Sequence, residues 1–337
     1  MKKIILIILL IATSIYAGDV ARKGTSGAEE VLIPVGARGI ATAGSFLANV
    51  TGLESMFYNP AGLDIYPQTE AMFSYISYLA DINISYFAIG TSLGDFGSLG
   101  FDLKTLDFGD IPETTIQFPD GTGDTYSPSF ITFGLTYSKV LTDRVAIGTN
   151  MKLVTENIGN TNATGFAVDA GVQYRFSNEL MIGATVKNIG TNMSFSGDDL
   201  AARTTIPGTV PGATSGSYEI ITEPFLIPSS FQLSLTYAYE FNEQNNLLFA
   251  GAYTANNAYE DVANFGLEYG FMNNFFVRGG YNYLMENQDE SIYGLTFGAG
   301  VNYDIGAGVG FVFDYAYRAV QEFASANQIF TIKLTFK

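Results

Sequence analysis

The stretch SFQLSLTYAYEF, residues 230–241, alternates strictly between two kinds of side chain. Every second position, from Phe231 to Phe241, is large and apolar or aromatic, and the positions between them are polar or small. Side chains of a β-strand point alternately to opposite faces, whereas a helix would need apolar residues every three to four positions. The stretch therefore predicts a β-strand with one wholly apolar face.

The same alternation recurs at residues 166–176, 293–304 and 309–317. Strands of about ten residues, apolar on one face and polar on the other, are the signature of a transmembrane β-barrel. We therefore predict an all-β protein, a closed antiparallel transmembrane β-barrel of fourteen strands. The predicted strands cover residues 69–79, 82–93, 98–106, 129–140, 144–156, 164–176, 179–188, 230–241, 246–254, 262–271, 274–284, 293–304, 308–318 and 328–336.

Every second predicted connection is short, and the others are longer, as at residues 107–128, 157–163 and 189–228. Only the turn at 80–81 departs from this rule. Outer-membrane barrels have short periplasmic turns and long external loops, so the pattern predicts the bacterial outer membrane as the location and its lipid as a partner. All ten prolines lie outside the predicted strands, as expected where lipid allows no missing ladder hydrogen bonds.

The composition excludes several classes of protein. The chain of 337 residues has a net charge of −17, so nothing basic is available to bind nucleic acid. It contains no Cys and no His, which removes disulfides, thiolate chemistry, Ser–His nucleophiles and the usual zinc sites. We expect no catalytic residue, no cofactor and no metal, and we find neither a GxSxG nor a GxxxxGK[ST] motif.

The N-terminus divides into two segments ahead of the barrel, which we assign to residues 68–337. Residues 1–17 carry two lysines, a short apolar run and small residues before Gly18, which predicts a secretory signal peptide cleaved after Ala17; an uncleaved anchor is the alternative. Residues 18–67 lack alternation and are rich in Gly, Ala and turn signals. We interpret them as a hatch or plug in the barrel lumen.

Within this segment, GARGIATAGSFLANV (36–50) and MFYNPAGLD (56–64) resemble the N-terminal signature of the PorV/PorQ family, part of the wider FadL-like (OMPP1/FadL/TodX) superfamily of outer-membrane barrels. The NPAGL segment is the most specific match, and Phe57-Tyr58 stands where members often carry a Trp. The resemblance implies a fourteen-strand barrel with an N-terminal hatch that moves around residues 36–44 or 59–63. The candidate plug and gating residues are Gly36, Gly39, Gly44, Asn59, Pro60 and Gly62.

The last predicted strand, ending in Leu334-Thr335-Phe336, resembles the targeting signal read by the barrel-insertion machinery. The family pattern ends on the aromatic residue, whereas here Lys337 follows it. The resemblance implies that this machinery is a partner of the chain.

Charged side chains of both signs are predicted to face the lumen. They are Asp102, Lys104, Arg144, Lys152, Asp169, Arg175, Lys187, Glu240, Glu268, Arg278, Asp314 and Lys333. One interpretation is a mutually neutralising network that ties the plug to the wall, because buried charges need partners. The other is a polar path or a site for a ligand headgroup. Lumen-facing glycines such as Gly148 and Gly183 likewise make room either for the plug or for a ligand.

The loop at 189–228 carries apolar residues that are unusual in an external loop. The candidates are Ile220, Ile221, Phe225, Leu226 and Ile227. By resemblance to FadL-like transporters they capture a hydrophobic ligand or bind a partner; alternatively they fold onto the rim as a lid. Acidic loop clusters lack the ligand spacing of an EF-hand and are interpreted as solvated.

Two functions are consistent with these patterns. The first is a FadL-like channel that moves a small hydrophobic molecule across the outer membrane. The second is a PorV-like accessory component of type IX secretion, which binds secreted cargo proteins at the cell surface. Both use the same strand alternation, so the sequence alone leaves the choice open.

Overall fold

The computed structural model describes residues 23–204, 216–306, 308–321, 323 and 325–336. The predicted signal peptide, residues 1–17, and the C-terminal Lys337 lie outside these ranges.

Fourteen long strands form the wall, which confirms the predicted strand number. They are β1 (Thr69–Ser77), β2 (Asn83–Ser92), β3 (Ser98–Asp107), β4 (Ser129–Val140), β5 (Val145–Ile158), β6 (Thr161–Arg175), β7 (Leu180–Gly190), β8 (Ser230–Asn242), β9 (Asn245–Asn256), β10 (Val262–Phe271), β11 (Phe275–Leu284), β12 (Tyr293–Gly306), β13 (Val309–Val320) and β14 (Asn327–Phe336). Each strand begins and ends within three residues of its predicted bounds.

The sheet is closed and antiparallel throughout. Each strand pairs with the next in sequence, and β14 returns to pair with β1, where Phe73 lies opposite Ile332. β6 and β7 pair directly with each other, which completes the circle. Closure leaves no unpaired edge, which is the condition for placing strands in lipid.

Exposure alternates along the strands, as the sequence predicts, where they surround the lumen segment, whereas the turn-rim ends of strands such as β8 and β12 are exposed on both faces. On β8, Phe231, Leu233 and Leu235 are exposed on the outside, whereas Ser234 and Thr236 are buried on the inside. An outer surface of large apolar side chains needs a nonpolar surrounding, because in water it would form a very large hydrophobic patch.

The two rims differ. One rim, here called the turn rim, carries only short connections: residues 93–97, 141–144, 176–179, 243–244, 272–274 and 307–308. The opposite loop rim carries the long connections, of which 108–128 and 191–229 are the longest. The predicted longer connection at 157–163 is wrong, because β5 and β6 extend toward each other and are joined through Gly159 and Asn160. Alternation weakens near strand ends, so the sequence underestimated both strands.

The connections between the wall strands also contain short strands and 3-10 turns. Short strand pairs join Ile111–Pro112 to Thr125–Tyr126, Asn192–Met193 to Phe225–Leu226 and Ala201–Thr204 to Gly216–Glu219, while Ser196–Gly197 extends β6; 3-10 turns cover Gly94–Phe96, Asp198–Leu200 and Gln288–Glu290.

Part of the chain ahead of β1 runs inside the barrel. Residues 29–64, here called the lumen segment, contain the short helices α1 (Ala37–Ala41) and α2 (Ser55–Tyr58) and the 3-10 turns Glu29–Leu32, Gly52–Glu54 and Pro60–Asp64. None of the described helices is long and apolar enough to cross a bilayer.

The lumen segment extends from one rim to the other. Near its start, Lys23 forms ion pairs with Glu260 and Glu290 at the loop rim, both at 2.9 Å. At its end, the Asp64 carboxylate accepts a hydrogen bond from the Val140 amide at the turn rim (2.9 Å). Apolar side chains of the segment, such as Leu53 and Met56, pack against inward residues of the wall and form the core.

Candidate functional site

Glycines of the wall provide the space that the lumen segment occupies. A side chain at Gly148 would collide with the Pro60 carbonyl, and one at Gly183 with the backbone of Leu47 and Ala48. Six other inward glycines face the same segment: Gly90, Gly100, Gly171, Gly266, Gly280 and Gly298. Of the two interpretations of these glycines, the structure therefore favours close approach of the segment over an empty ligand cavity.

The NPAGL segment fastens the lumen segment to β6. The Asn59 side-chain amide donates to the Leu47 carbonyl (2.9 Å) and to the Val172 carbonyl (3.1 Å). Its oxygen accepts from the Ala61 amide and so caps the 3-10 turn that starts at Pro60, where a proline loses no helical hydrogen bond. A side chain at Gly62 would meet the Val50 carbonyl.

The three glycines around α1 also sit at tight points. Gly36 has a positive φ of 79° and lies against the Glu54 carboxylate, and a side chain at Gly39 would overlap the Tyr58 ring. Gly44 has a φ of 70° in the turn after α1. All six candidate plug residues thus lie at turns or close contacts of the lumen segment.

One buried charge cluster joins the lumen segment to β10, β11 and β13. The Arg38 guanidinium donates two hydrogen bonds to the Glu268 carboxylate, at 2.8 and 2.9 Å. The Arg278 guanidinium forms one ion pair with the same Glu268 carboxylate (2.5 Å) and a second with the Asp314 carboxylate (2.5 Å). Each charge in the chain of four groups has an opposite neighbour, which offsets the cost of removing it from water.

A second cluster lies on the other side of the lumen. Lys152 pairs with Asp169 at 2.5 Å and also donates to the Asn188 amide oxygen at 2.8 Å. Lys104 points into the segment and donates to the backbone carbonyls of Glu30 (2.6 Å) and Ile33 (3.1 Å).

Asp102 is buried beside this cluster and accepts a long hydrogen bond from Asn150 (3.4 Å). Lys333, in contrast, stands apart near Glu70, at 3.8 Å.

Three predicted members of the lumen network lie elsewhere. Arg144, Arg175 and Glu240 are exposed at the turn rim, and the nearest carboxylate to the Arg144 side chain is that of its neighbour Asp143, at 3.9 Å. Arg175 and Glu240 occupy inward-facing positions of their strands, and Arg144 directly precedes β5. At this rim, however, the strands extend beyond the lumen segment. These three side chains are therefore solvated by water and have no need of buried partners of opposite charge.

The apolar loop residues divide into two sets. Phe225 and Ile227 pack inward in a cluster with Val31 and Met193, and the Phe225 ring lies 5.7 Å from that of Phe195. Ile220, Ile221 and Leu226 are exposed, Ile221 with 92% of its surface. The burial of the first set is what the lid hypothesis predicts, and the exposure of the second set is what the hypothesis of a ligand- or partner-binding surface predicts.

A cavity of about 340 Å³, here called the outer cavity, lies between the lumen segment and β7–β13 at the loop rim. Leu47, Phe57 and Tyr58 of the lumen segment form one wall. Lys187, Gln232, Asn264, Asn282, Leu284, Tyr293 and Arg318 contribute to the other.

A smaller recess of about 140 Å³, the inner recess, lies at the turn rim. Ala48 and Asn49 line it, together with Arg144 and Arg175. The stretch 47–50, here called the seal, therefore lies between the two spaces. It is held to β6 by the Gln173 side-chain amide, which donates to the carbonyls of Leu47 (3.2 Å) and Val50 (2.8 Å).

Sequence reasoning missed the seal, Gln173, Phe57, Tyr58 and Arg318 as site residues. The alternation predicts that the side chains of Gln173 and Arg318 face the lumen. Arg318 is the last residue of its predicted strand and was therefore not included among the predicted lumen charges. Nothing in the apolar character of Leu47 or Phe57 separates them from ordinary packing residues. In the described ranges, no group of three or more acidic side chains is arranged to hold a metal ion.

Several channels of known structure share this fold. A CymD monoaromatic hydrocarbon channel has a TM-score of 0.56 and 12% identity, covering 91% of this chain and 98% of that one. The toluene transporter TodX of P. putida has a TM-score of 0.53 and 16% identity, covering 89% and 96%. A Pseudomonas aeruginosa FadL homologue has a TM-score of 0.53 and 10% identity, covering 90% and 98%.

At identities this low, the structural matches establish similarity of fold and nothing more. The shared fold is that of the FadL/TodX-like barrels. No protein-family model matches the chain, and no curated protein sequence is significantly similar to it.

Proposed function

We propose that the protein is a channel that takes small hydrophobic solutes across the bacterial outer membrane. The route begins among the long loops, enters the outer cavity, passes the seal and ends in the inner recess. The observation that carries the proposal is that one short stretch of chain, residues 47–50, lies between two recesses at opposite rims of the same barrel.

The size and lining of the outer cavity support a small solute. Its volume of about 340 Å³ falls in the range of about 300–1,000 Å³ that is usual for small-molecule sites. Leu47, Phe57 and Leu284 give it apolar walls. Barrels of similar fold are described as channels for toluene and other monoaromatic hydrocarbons, which agrees with a hydrophobic solute.

In this proposal the lumen segment is a movable plug rather than a fixed filling. The seal is held by a few hydrogen bonds from Asn59 and Gln173 and by the packing of Leu47 and Val50 in the core, and these contacts can break and re-form without breaking the hydrogen bonds between the wall strands. We also infer that the chain is exported by the signal peptide at residues 1–17. The barrel-insertion machinery would then place it in the outer membrane after reading the last strand.

A second candidate function is that of a PorV-like accessory component of type IX secretion. The observation that favours it is the exposed apolar surface on the long loops, where Ile221 and Ile116 are 92% and 97% exposed. In this case the loops bind the secreted cargo protein and no solute has to cross the barrel.

A disulfide lock tests the channel, because the chain has no cysteine of its own. Ser234 Oγ donates to the backbone carbonyl of Ser45 at 2.6 Å, while the Ser45 hydroxyl is turned to the Thr42 carbonyl. Ser45→Cys with Ser234→Cys would fasten the chain beside the seal to β8 once the thiol at position 45 rotates toward β8, and loss of both free thiols on oxidation shows that the disulfide has formed. The matched control is Thr69→Cys with Thr91→Cys, whose hydroxyls are 2.8 Å apart and which joins two wall strands, β1 and β2, on their exposed face.

Uptake of radiolabelled toluene is measured in cells whose outer membrane limits the rate. We expect the oxidised lock to slow uptake, a reducing agent to restore it, and the control pair to have no effect. Equal uptake with the lock open and closed would contradict a moving plug. Retention of a secreted protein that depends on Ile221, with no toluene uptake by the unmodified protein, would instead favour the secretion role.

A further inference from the structure

The pairing of β6 with β7 contains a β-bulge that turns a side chain into the lumen. Two residues of β7, Lys187 and Asn188, lie opposite the single residue Asp169 of β6. By strict alternation Asn188 would face lipid, because Lys187 faces the lumen, yet only 1% of the Asn188 surface is exposed. Asn188 also has a left-handed backbone, with a φ of 57°, which is uncommon outside glycine. A β-bulge can re-aim a side chain, and here it brings an amide inward.

Three functional groups from three adjacent strands meet at the bulge. The Lys152 ammonium, on β5, lies 2.5 Å from Asp169 Oδ2 and donates a hydrogen bond to Asn188 Oδ1 at 2.8 Å. The other oxygen of the carboxylate, Asp169 Oδ1, accepts from the backbone amide of Asn188 at 2.7 Å. One carboxylate thus holds the amine on one side and the residue that carries the amide on the other.

All three groups are shielded from bulk water, since Lys152 is only 6% exposed and Asp169 and Asn188 are buried more completely. Proton transfer from the ammonium to the carboxylate replaces two buried charges with two neutral groups, so burial makes this transfer easier than it is in water. The neutral amine that results is a nucleophile, whereas the ammonium is not. The side-chain carbonyl of Asn188, which already accepts a hydrogen bond from this nitrogen, lies within its reach.

We propose that Lys152 and Asn188 become joined by an intramolecular isopeptide bond, with Asp169 as the catalytic residue. Asp169 Oδ2 takes one proton from the ammonium, and the neutral Nζ attacks Cγ of Asn188. The Nζ–Cγ bond forms, and the bond from Cγ to the amide nitrogen Nδ2 breaks. The departing nitrogen takes a second proton from Nζ and the proton held by Asp169, and it leaves as ammonium. Lys152 keeps one hydrogen on the new amide, Asp169 is a carboxylate again, and no co-reactant is consumed.

The surroundings of Asn188 suit the departure of its amide nitrogen. Nδ2 donates to the Pro228 carbonyl at 3.1 Å, which fixes the amide with its oxygen, and not its nitrogen, toward Lys152. Asn188 also lines the outer cavity, so the released ammonium has a path out of the barrel.

A buried cation is at hand to replace Lys152 once its charge is lost. Lys187 forms no ion pair with a carboxylate of the described residues. Its charge is attracted by that of Asp169 and repelled by that of Lys152. Conversion of Lys152 to an amide therefore removes a repulsion and leaves Lys187 as the cation that offsets the Asp169 charge.

The isopeptide bond joins two wall strands that are not neighbours in the sheet. β5 and β7 both pair with β6, and the link passes from one to the other across it. A covalent link between distant parts of a chain stabilises the folded state mainly by restricting the unfolded chain. This role is independent of what the barrel transports.

Peptide mapping by mass spectrometry tests the proposal on the full chain, purified from outer membranes in its folded, heat-modifiable form. Trypsin cleaves after Lys and Arg, so an unmodified Lys152 gives residues 145–152 and 188–203 as separate peptides. We expect instead residues 145–175, uncut at Lys152, joined to residues 188–203. The mass of the joined product should be lower than the sum of the two peptides by one molecule of ammonia.

Three variants separate the roles of the residues. Lys152→Arg keeps the positive charge but removes the amine nucleophile, and Asp169→Asn removes the base, so both should abolish the joined peptide. Lys104→Arg is the matched control, because this buried lysine is held by backbone carbonyls, and it should leave the joined peptide in place. Folding of each variant is checked by heat-modifiable gel migration.

Separate peptides 145–152 and 188–203 from the folded wild-type protein would overturn the proposal, and this result needs no variant to fold. A link from Lys152 to Asp169 with loss of water would also overturn it, because the carboxylate would then be the acceptor. A joined peptide that persists in Asp169→Asn would contradict the catalytic role of Asp169.

Discussion

Arg38 of the lumen segment and Glu268 of the wall are joined by two hydrogen bonds of 2.8 and 2.9 Å that run side by side. Arg278 and Asp314 extend this pair into a buried chain of alternating charges. Because Arg38 is the only one of the four that comes from the lumen segment, the cluster anchors α1 to β10.

Replacing Arg38 should therefore loosen the lumen segment more than the barrel. We expect Arg38→Met to lower the free energy of unfolding by about 2–3 kcal/mol, since one partner of a buried pair is lost while Arg278 still accompanies Glu268. Urea unfolding in lipid vesicles measures this value, and hydrogen exchange at residues 37–41 locates it. Arg144→Met, at an exposed side chain beside Asp143, should change stability by less than about 1 kcal/mol. Equal effects of the two changes would refute the anchoring role.

The close approach of β7 to the seal gives a second prediction. A methyl group at Gly183 would overlap the backbone of Leu47 and Ala48, which cannot move aside as a flexible side chain can. We expect Gly183→Ala to displace the seal, with a loss of about 1–3 kcal/mol from overpacking and a higher single-channel conductance in planar bilayers. At Gly251 an added methyl would find only the Phe265 ring, at 3.9 Å, so Gly251→Ala should leave conductance unchanged.

The outer end of the lumen segment should respond to pH. Burial, reinforced by the negative charge of Glu156, raises the pKa of the Glu30 carboxyl to about 8. The Glu30 carboxyl is close enough to that of Glu156 to share a proton with it, and the nearby Lys104 ammonium is engaged with the backbone carbonyls of Glu30 and Ile33.

The sign of the effect follows from proton binding. Between pH 4.5, the ordinary value, and about pH 8, the folded protein keeps a proton on Glu30 that the unfolded chain has released. Stability contributed by this group is therefore complete below pH 4.5 and is lost as the pH rises through 8. We expect wild type to lose on the order of 2–4 kcal/mol more than Glu30→Gln between pH 5 and pH 9, measured by urea unfolding. Parallel curves for the two proteins would show that Glu30 does not titrate in this window.

The two sets of apolar loop residues should differ sharply under the same substitution. Ile227 is buried against the lumen segment, so Ile227→Asp places a charge in an apolar cluster and should cost about 3 kcal/mol or more. Ile221 is almost fully exposed, so Ile221→Asp should leave the heat resistance of the folded form on gels unchanged. If Ile221→Asp also unfolds the protein, the exposed surface is covered in the native state.

Much of the fold was determined by the sequence alone, because a barrel strand has one face toward lipid and one toward the lumen. That constraint acts at every second residue, so it is visible within single short stretches such as 230–241. The alternation therefore predicted all fourteen wall strands. The absence of His and Cys likewise limited the chemistry before any geometry was known. The NPAGL segment indicated a distinct N-terminal element, and Asn59 does fasten it to the wall.

Only the tertiary structure decided which inward residues meet. A period of two gives the face of a side chain but not its depth in the barrel or what lies opposite. Glu268 and Glu240 have the same parity in the sequence, yet Glu268 is buried between two arginines and Glu240 is exposed at the turn rim. In the same way, Lys187 and Lys152 read alike in their strands. Lys152 reaches Asp169 on the neighbouring strand, whereas Lys187 faces Phe57 of the lumen segment and the outer cavity, and the course of that segment is decided by contacts with chain that is distant in sequence.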